Sequence, residues 1–125
     1  MEITLNDHRK IVAIQKDFSD MFPNLKLEFY AKLNKGDGSP SVKLMKHISK
    51  TIAECRTINK AGNITIQPNM TIGELEQGFM DTYGLSVEVF HKSASEWLGT
   101  KGNNDRTLDK QNAEAGTINM LEEVK

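Results

Sequence analysis

One β-α-β pattern occurs twice in this chain, at an offset of 61 residues. Ile3, Thr4 and Leu5 align with Ile64, Thr65 and Ile66, and Ile11, Ile14, Phe18, Asp20 and Phe22 align with Ile72, Leu75, Phe79, Asp81 and Tyr83 without a gap. One residue then drops out, and Leu25, Leu27, Glu28, Tyr30 and Lys32 align with Leu85, Val87, Glu88, Phe90 and Lys92 at an offset of 60. A repeated supersecondary unit constrains architecture because each copy buries its apolar faces by packing on the other. It carries little information about chemistry.

The second copy has the sharper punctuation. Asn63 to Gln67 alternates polar and apolar residues around Ile64 and Ile66, the period of a half-buried strand, and Pro68-Asn69 ends it. Thr71 and Glu74 have capping-box spacing, with Met70 and Leu75 at the staple positions. Ile72, Leu75, Phe79 and Tyr83 then form one apolar stripe, which predicts a helix over 72–83 closed by Gly84 in a left-handed conformation. Leu85, Val87 and Val89 alternate with Ser86, Glu88 and Phe90 in the next strand. Lys92 to Ser95 reads as a turn, and Glu96 to Thr100, with Trp97, as a short fifth strand. In the first copy Asn6 or Asp7 is expected to cap the helix, and Pro23-Asn24 replaces the glycine stop.

Two regions lie outside the repeat. The crossover 33–61 opens with the loop-like Gly36-Asp37-Gly38-Ser39-Pro40-Ser41. It continues with Leu44, Ile48, Ile52 and Cys55 at helical spacing, or alternatively with a separate turn capped by Thr51 and Glu54. The tail 101–125 is polar and predicts a marginal helix with a frayed end. The expected organisation is one domain over 1–100 plus this tail.

With 16 basic and 17 acidic residues in 125, no global field draws the chain to nucleic acid or to anionic lipid. No stretch has the roughly 20 apolar residues of a membrane span, and no leader segment is expected at the N-terminus. The single cysteine, Cys55, fits a reducing compartment, so a cytoplasmic location is expected.

Two β-α-β units in series most economically form a four-stranded antiparallel sheet of order 4-1-3-2 with both helices on one face. On the residues quoted above, which span Glu2 to Lys32 and Asn63 to Lys92, the chain resembles a ferredoxin-like domain. RNA-recognition-motif proteins and many small regulatory modules share that topology. The resemblance is one of element order and apolar spacing, and function does not follow from it. It places Thr4, Lys26, Glu28, Tyr30, Thr65, Ser86, Glu88 and Phe90 on an open sheet face, with Glu28 and Glu88 on opposite edge strands.

Several constellations bear on function. Tyr30, Phe90 and Trp97, with Glu28 and Glu88, form the candidate partner-binding surface, and a homodimer or a protein partner is expected. RNA-recognition-motif binding is disfavoured, because the carboxylates would repel phosphate and the third strand lacks the aromatic consensus. The basic crossover is the alternative nucleic-acid site. Lys43, Lys46 and Lys50 would make one stripe if this stretch were helical, with Arg56 nearby and His47 flanking. Catalysis is not expected. Glu28 and Glu88 are too far apart in the 4-1-3-2 order to share a proton, and His8, His47 and His91 have no partner at metal-ligand spacing. Cys55 reads as a small core residue, and neither metal nor cofactor is expected. Gly73 and Gly78 inside the best helix mark a close approach, by the neighbouring helix or the crossover or equally by a second subunit.

Overall fold

The computed structural model describes residues 2–34, 40–45, 49–58, 62–93, 96–100 and 104–123, with side chains described for all of these except 31–34, 40–45 and 117–123. The element order is β1 (Ile3–Thr4), α1 (Ile11–Met21), β2 (Leu25–Asn34), β3 (Pro40–Met45), α2 (Ile52–Cys55), β4 (Thr65–Ile66), α3 (Ile72–Tyr83), β5 (Ser86–Ser93), β6 (Glu96–Gly99) and α4 (Leu108–Glu123). The class is α+β, and all strand pairings are antiparallel.

The strands do not pair in the 4-1-3-2 order. One sheet has the order β3-β2-β5-β6, and β1 and β4 form a separate two-stranded ribbon. The sequence pattern correctly pairs the first strands of the two copies with each other, since Ile3 lies opposite Ile66 and Thr4 opposite Thr65. It fails for the second strands. Instead of occupying opposite edges, β2 and β5 are the two central strands and pair from Leu25↔His91 to Tyr30↔Ser86. A physical reason is length: two-residue strands cannot separate β2 from β5, whose register runs over six residue pairs.

The registers relate the two copies by an approximate two-fold. Thr4↔Thr65 and Glu28↔Glu88 each pair a residue with its own counterpart. Ile3↔Ile66 is answered on the other side of the axis by Leu5, whose N–H donates to the Ile64 carbonyl at 2.9 Å. The repeat also extends into the two regions set outside it. β3 follows β2 in a hairpin as β6 follows β5. At the start of α1, Lys10 bridges Thr51; at the start of α3, Thr71 bridges Thr107. In both cases the helix-start amide donates across the bridge, Ile11 N to the Lys50 carbonyl and Ile72 N to the Arg106 carbonyl, each at 2.9 Å. α2 and α4 are therefore counterparts, and both begin with a buried branched residue, Ile52 or Leu108.

Alternation places Leu25, Leu27 and Phe29 of β2 with Leu85, Val87 and Val89 in and beside β5 on the inner face, where all are buried. The helices close this face with Ile11, Ile14 and Phe18 from α1 and Ile72, Leu75, Phe79 and Tyr83 from α3. Phe29 and Phe79 meet edge to face with centroids 5.3 Å apart, which ties the sheet to α3.

Helix boundaries follow local chemistry. Thr71 and Glu74 form the expected capping box, and Gly84 closes α3 at φ +65°. α2 is the capped turn given as the alternative for the crossover: Thr51 Oγ1 accepts from Glu54 N, and the Glu54 carboxylate accepts from Thr51 N at 3.0 Å. α1 starts differently. Its N-cap is Lys10, whose side chain has no acceptor to offer the helix amides, and Asp7 instead binds Arg56. The helix expected in the tail is α4, which runs for 16 residues and buries Leu108, Gln111 and Ala115, and the expected frayed end, 124–125, lies outside the described residues. Gly73 is explained within the chain, since a Cβ there would lie 3.2 Å from the Asn104 carbonyl oxygen, whereas one at Gly78 would make an ordinary 3.7 Å contact with Ile64 Cδ1, so nothing there requires glycine.

Candidate functional site on the outer sheet face

The opposite parity of β2 and β5 points Lys26, Glu28, Tyr30, Ser86, Glu88 and Phe90 away from the helices, and all six are half-buried. Cross-strand neighbours on this face are Lys26 and Phe90, Glu28 and Glu88, and Tyr30 and Ser86. β6 extends the face with Gly99 opposite Phe90 and Trp97 opposite Lys92, and Trp97 is 38% exposed.

The two carboxylates are the main correction to the sequence-based expectation. Glu28 and Glu88 are direct cross-strand neighbours at the centre of the sheet, not residues on opposite edges. Like charges placed directly opposite each other destabilise a strand pair, so their environment must compensate. Two different devices do this. Lys26 Nζ lies 3.8 Å from Glu28 Oε1, and the same ammonium sits 5.5 Å from the Phe90 ring centroid and 5.0 Å from that of Trp97. Glu88 has no such cation among the described residues; the Tyr30 hydroxyl donates to its Oε2 at 3.2 Å. Burial, then the Glu88 and Glu28 charges, push the Tyr30 phenol up to about 12, so it remains a donor across the physiological range.

Tyr30, Phe90, Trp97, Glu28 and Glu88 lie at the middle of the sheet and on β6 rather than on two separated edges. Thr4 and Thr65 leave the set, because they lie in the β1-β4 ribbon. The apolar strands β2 and β5 are flanked by each other, by β3 and by β6, the strand that carries Trp97. The cation-π seat of Lys26 escaped sequence reasoning. Its signal was available in the repeat, because strands that pair across a two-fold bring equivalent residues face to face.

The basic crossover does not make a helical stripe. Lys43 lies in β3, Lys46 and His47 lie outside the described residues, and Lys50 lies before α2, outside any helix. Arg56 is committed to the fold: Nη1 lies 2.7 Å from Asp7 Oδ1, Nε and Nη2 donate to the Ile58 and Thr82 carbonyls, and the guanidinium covers the Tyr83 ring at 4.9 Å. Cys55 packs against the core as expected, and burial pushes its thiol up, away from the reactive thiolate. No group of three or more His, Cys, Asp or Glu side chains that could hold a metal occurs among the described residues, and no described helix is long and apolar enough to cross a membrane.

Comparison of the chain with protein-family models, with curated proteins and with solved structures gives no match, so the functional reading rests on this geometry alone.

Proposed function

We propose that this protein is a non-catalytic interaction module that engages a protein partner through the outer face of its four-stranded sheet. The observation that carries this reading is the contrast between the two faces. The inner face is fully buried under helices, whereas the outer face keeps Tyr30, Phe90 and Trp97 half-buried or exposed around a pair of charged carboxylates. Aromatic side chains, tyrosine and tryptophan above all, are enriched in interface hot spots, and a carboxylate pair among them would select a partner by charge complementarity. Face-to-face pairing of two identical copies is disfavoured, because a two-fold contact centred here would bring Glu28 and Glu88 against their own duplicates. The partner is therefore read as a different chain.

The test is affinity capture from nuclease-treated native lysate with the tagged protein and with a Tyr30→Ala/Phe90→Ala/Trp97→Ala variant whose circular dichroism matches the parent. A protein held by the parent and lost by the variant is the expected outcome. Equal recovery on both, or material that disappears on nuclease treatment, would remove the sheet-face reading and turn attention to the basic residues of 32–60.

A further inference from the structure

We infer that the outer face has two equivalent cation seats, one filled by its own Lys26 and the other, formed by Tyr30, Ser86 and Glu88, open to a lysine or arginine side chain of a partner protein. This rests on the interaction-module reading and specifies its chemistry.

The two-fold that relates the copies maps Lys26 onto Ser86, Glu28 onto Glu88 and Tyr30 onto Phe90. The cross-strand pair Lys26↔Phe90 thus corresponds to Ser86↔Tyr30. In the first seat an ammonium lies against a carboxylate, Glu28, and over two rings, Phe90 and Trp97. In the second seat the carboxylate and one ring are retained, as Glu88 and Tyr30, but the lysine is replaced by Ser86, which carries no charge. Tyr30 holds Glu88 in place through a 3.2 Å hydrogen bond, and among the described residues no cation neutralises Glu88. A carboxylate half-buried beside a second carboxylate, fixed by a neutral donor and backed by an aromatic ring, is complementary to an ammonium or guanidinium. A divalent metal is a poorer occupant, since the described residues bring no three acidic, histidine or cysteine ligands together. A second copy is poorer too, as it would present acids to acids.

The probe is an octalysine peptide, with its fully acetylated form as the neutral control, titrated into the isotope-labelled full chain and followed by amide shifts and Trp97 fluorescence. Octalysine is expected to shift Tyr30, Ser86 and Glu88, and the acetylated peptide to leave them unchanged. Glu88→Gln, which keeps the shape but not the charge, and Ser86→Lys, which supplies the missing cation in cis, should each weaken binding roughly tenfold or more, the size of one charge-assisted hydrogen bond. Asp81→Asn, an exposed acid on α3 that accepts from Gln77 at 2.8 Å, should bind like the parent. Unchanged binding by both Glu88→Gln and Ser86→Lys, shifts centred on Asp81, or no binding at millimolar peptide would overturn the proposal. So would a duplex oligonucleotide, or self-association, perturbing the same residues in place of octalysine. If aromatic-dependent capture of a protein persists while octalysine fails, the module stands without a cationic anchor. If both fail, the surface reading falls with it.

Discussion

Tyr30 and Glu88 show how one hydrogen bond fixes the properties of this surface. The phenol is raised from the ordinary tyrosine value of 10.0 to about 12, first by burial and then by the Glu88 and Glu28 charges. A raised value means that the folded state favours the protonated phenol. Its contribution to stability is complete below pH 10 and is lost as pH rises through about 12. Ultraviolet titration should therefore show a tyrosine phase near 12 that disappears in Tyr30→Phe and moves down in Glu88→Gln; a Tyr30 phase that ignores Glu88→Gln would break the assignment. Tyr83, buried on the inner side, is also raised by burial, so Tyr30→Phe is needed to separate the two. Gly84 is the other residue whose role is local. It holds φ +65°, and Thr57 fills the space that a Cβ would take. Gly84→Ala should cost at least about 1–2 kcal/mol in urea unfolding, from the left-handed backbone alone. The left-handed stop was legible because it follows the last residue of an apolar stripe. The Thr57 contact was not, because Thr57 comes from a segment whose approach only tertiary structure decides.

At the scale of elements, the capped helices were the most legible parts, since Thr71 with Glu74 and Thr51 with Glu54 are chemical signals that act within four residues. The start of α1 was misread because the helix begins beyond both expected caps, at Lys10, while Asn6 accepts from His8 N and Asp7 pairs with Arg56. α4 was legible only as a marginal helix. Among the described side chains its buried side is Leu108, Gln111 and Ala115, with one large apolar residue, so this part of the stripe is nearly invisible to hydropathy. What fixes the helix is docking: Leu108 joins the core, its N–H donates to the Met70 carbonyl at 2.9 Å, and Asn112 Oδ1 accepts from Asn24 N at 2.9 Å. Leu108→Ala should lower the stability of the whole protein by about 2–5 kcal/mol, as for a core leucine. A urea midpoint within error of the parent would mean that α4 is peripheral. Its counterpart Ile52 is equally buried at the head of a helix only one turn long.

For the whole molecule, the sequence specified which residues face inward far better than which strands are neighbours. Alternation in Leu25 to Tyr30 and Leu85 to Phe90 determines a buried face, and that face is observed. Nothing in alternation says whether β2 lies beside β4 or beside β5, because both arrangements bury the same side chains. The brevity of β1 and β4 decides the matter, and with it the meeting of Glu28 and Glu88 on which the candidate site depends. The same pairing has a kinetic side. The central junction joins Leu25 to His91 and Tyr30 to Ser86, so a loop of about sixty residues must close before it forms, and the ribbon partners Ile3 and Ile66 are as distant. Such non-local pairing places the chain among slow folders, on the order of milliseconds to seconds. Until the junction closes, the unpaired β2 edge of one molecule fits the β5 edge of another as well as its own. Crowded refolding would then trade halves between chains, and intertwined dimers would accumulate at the expense of monomers.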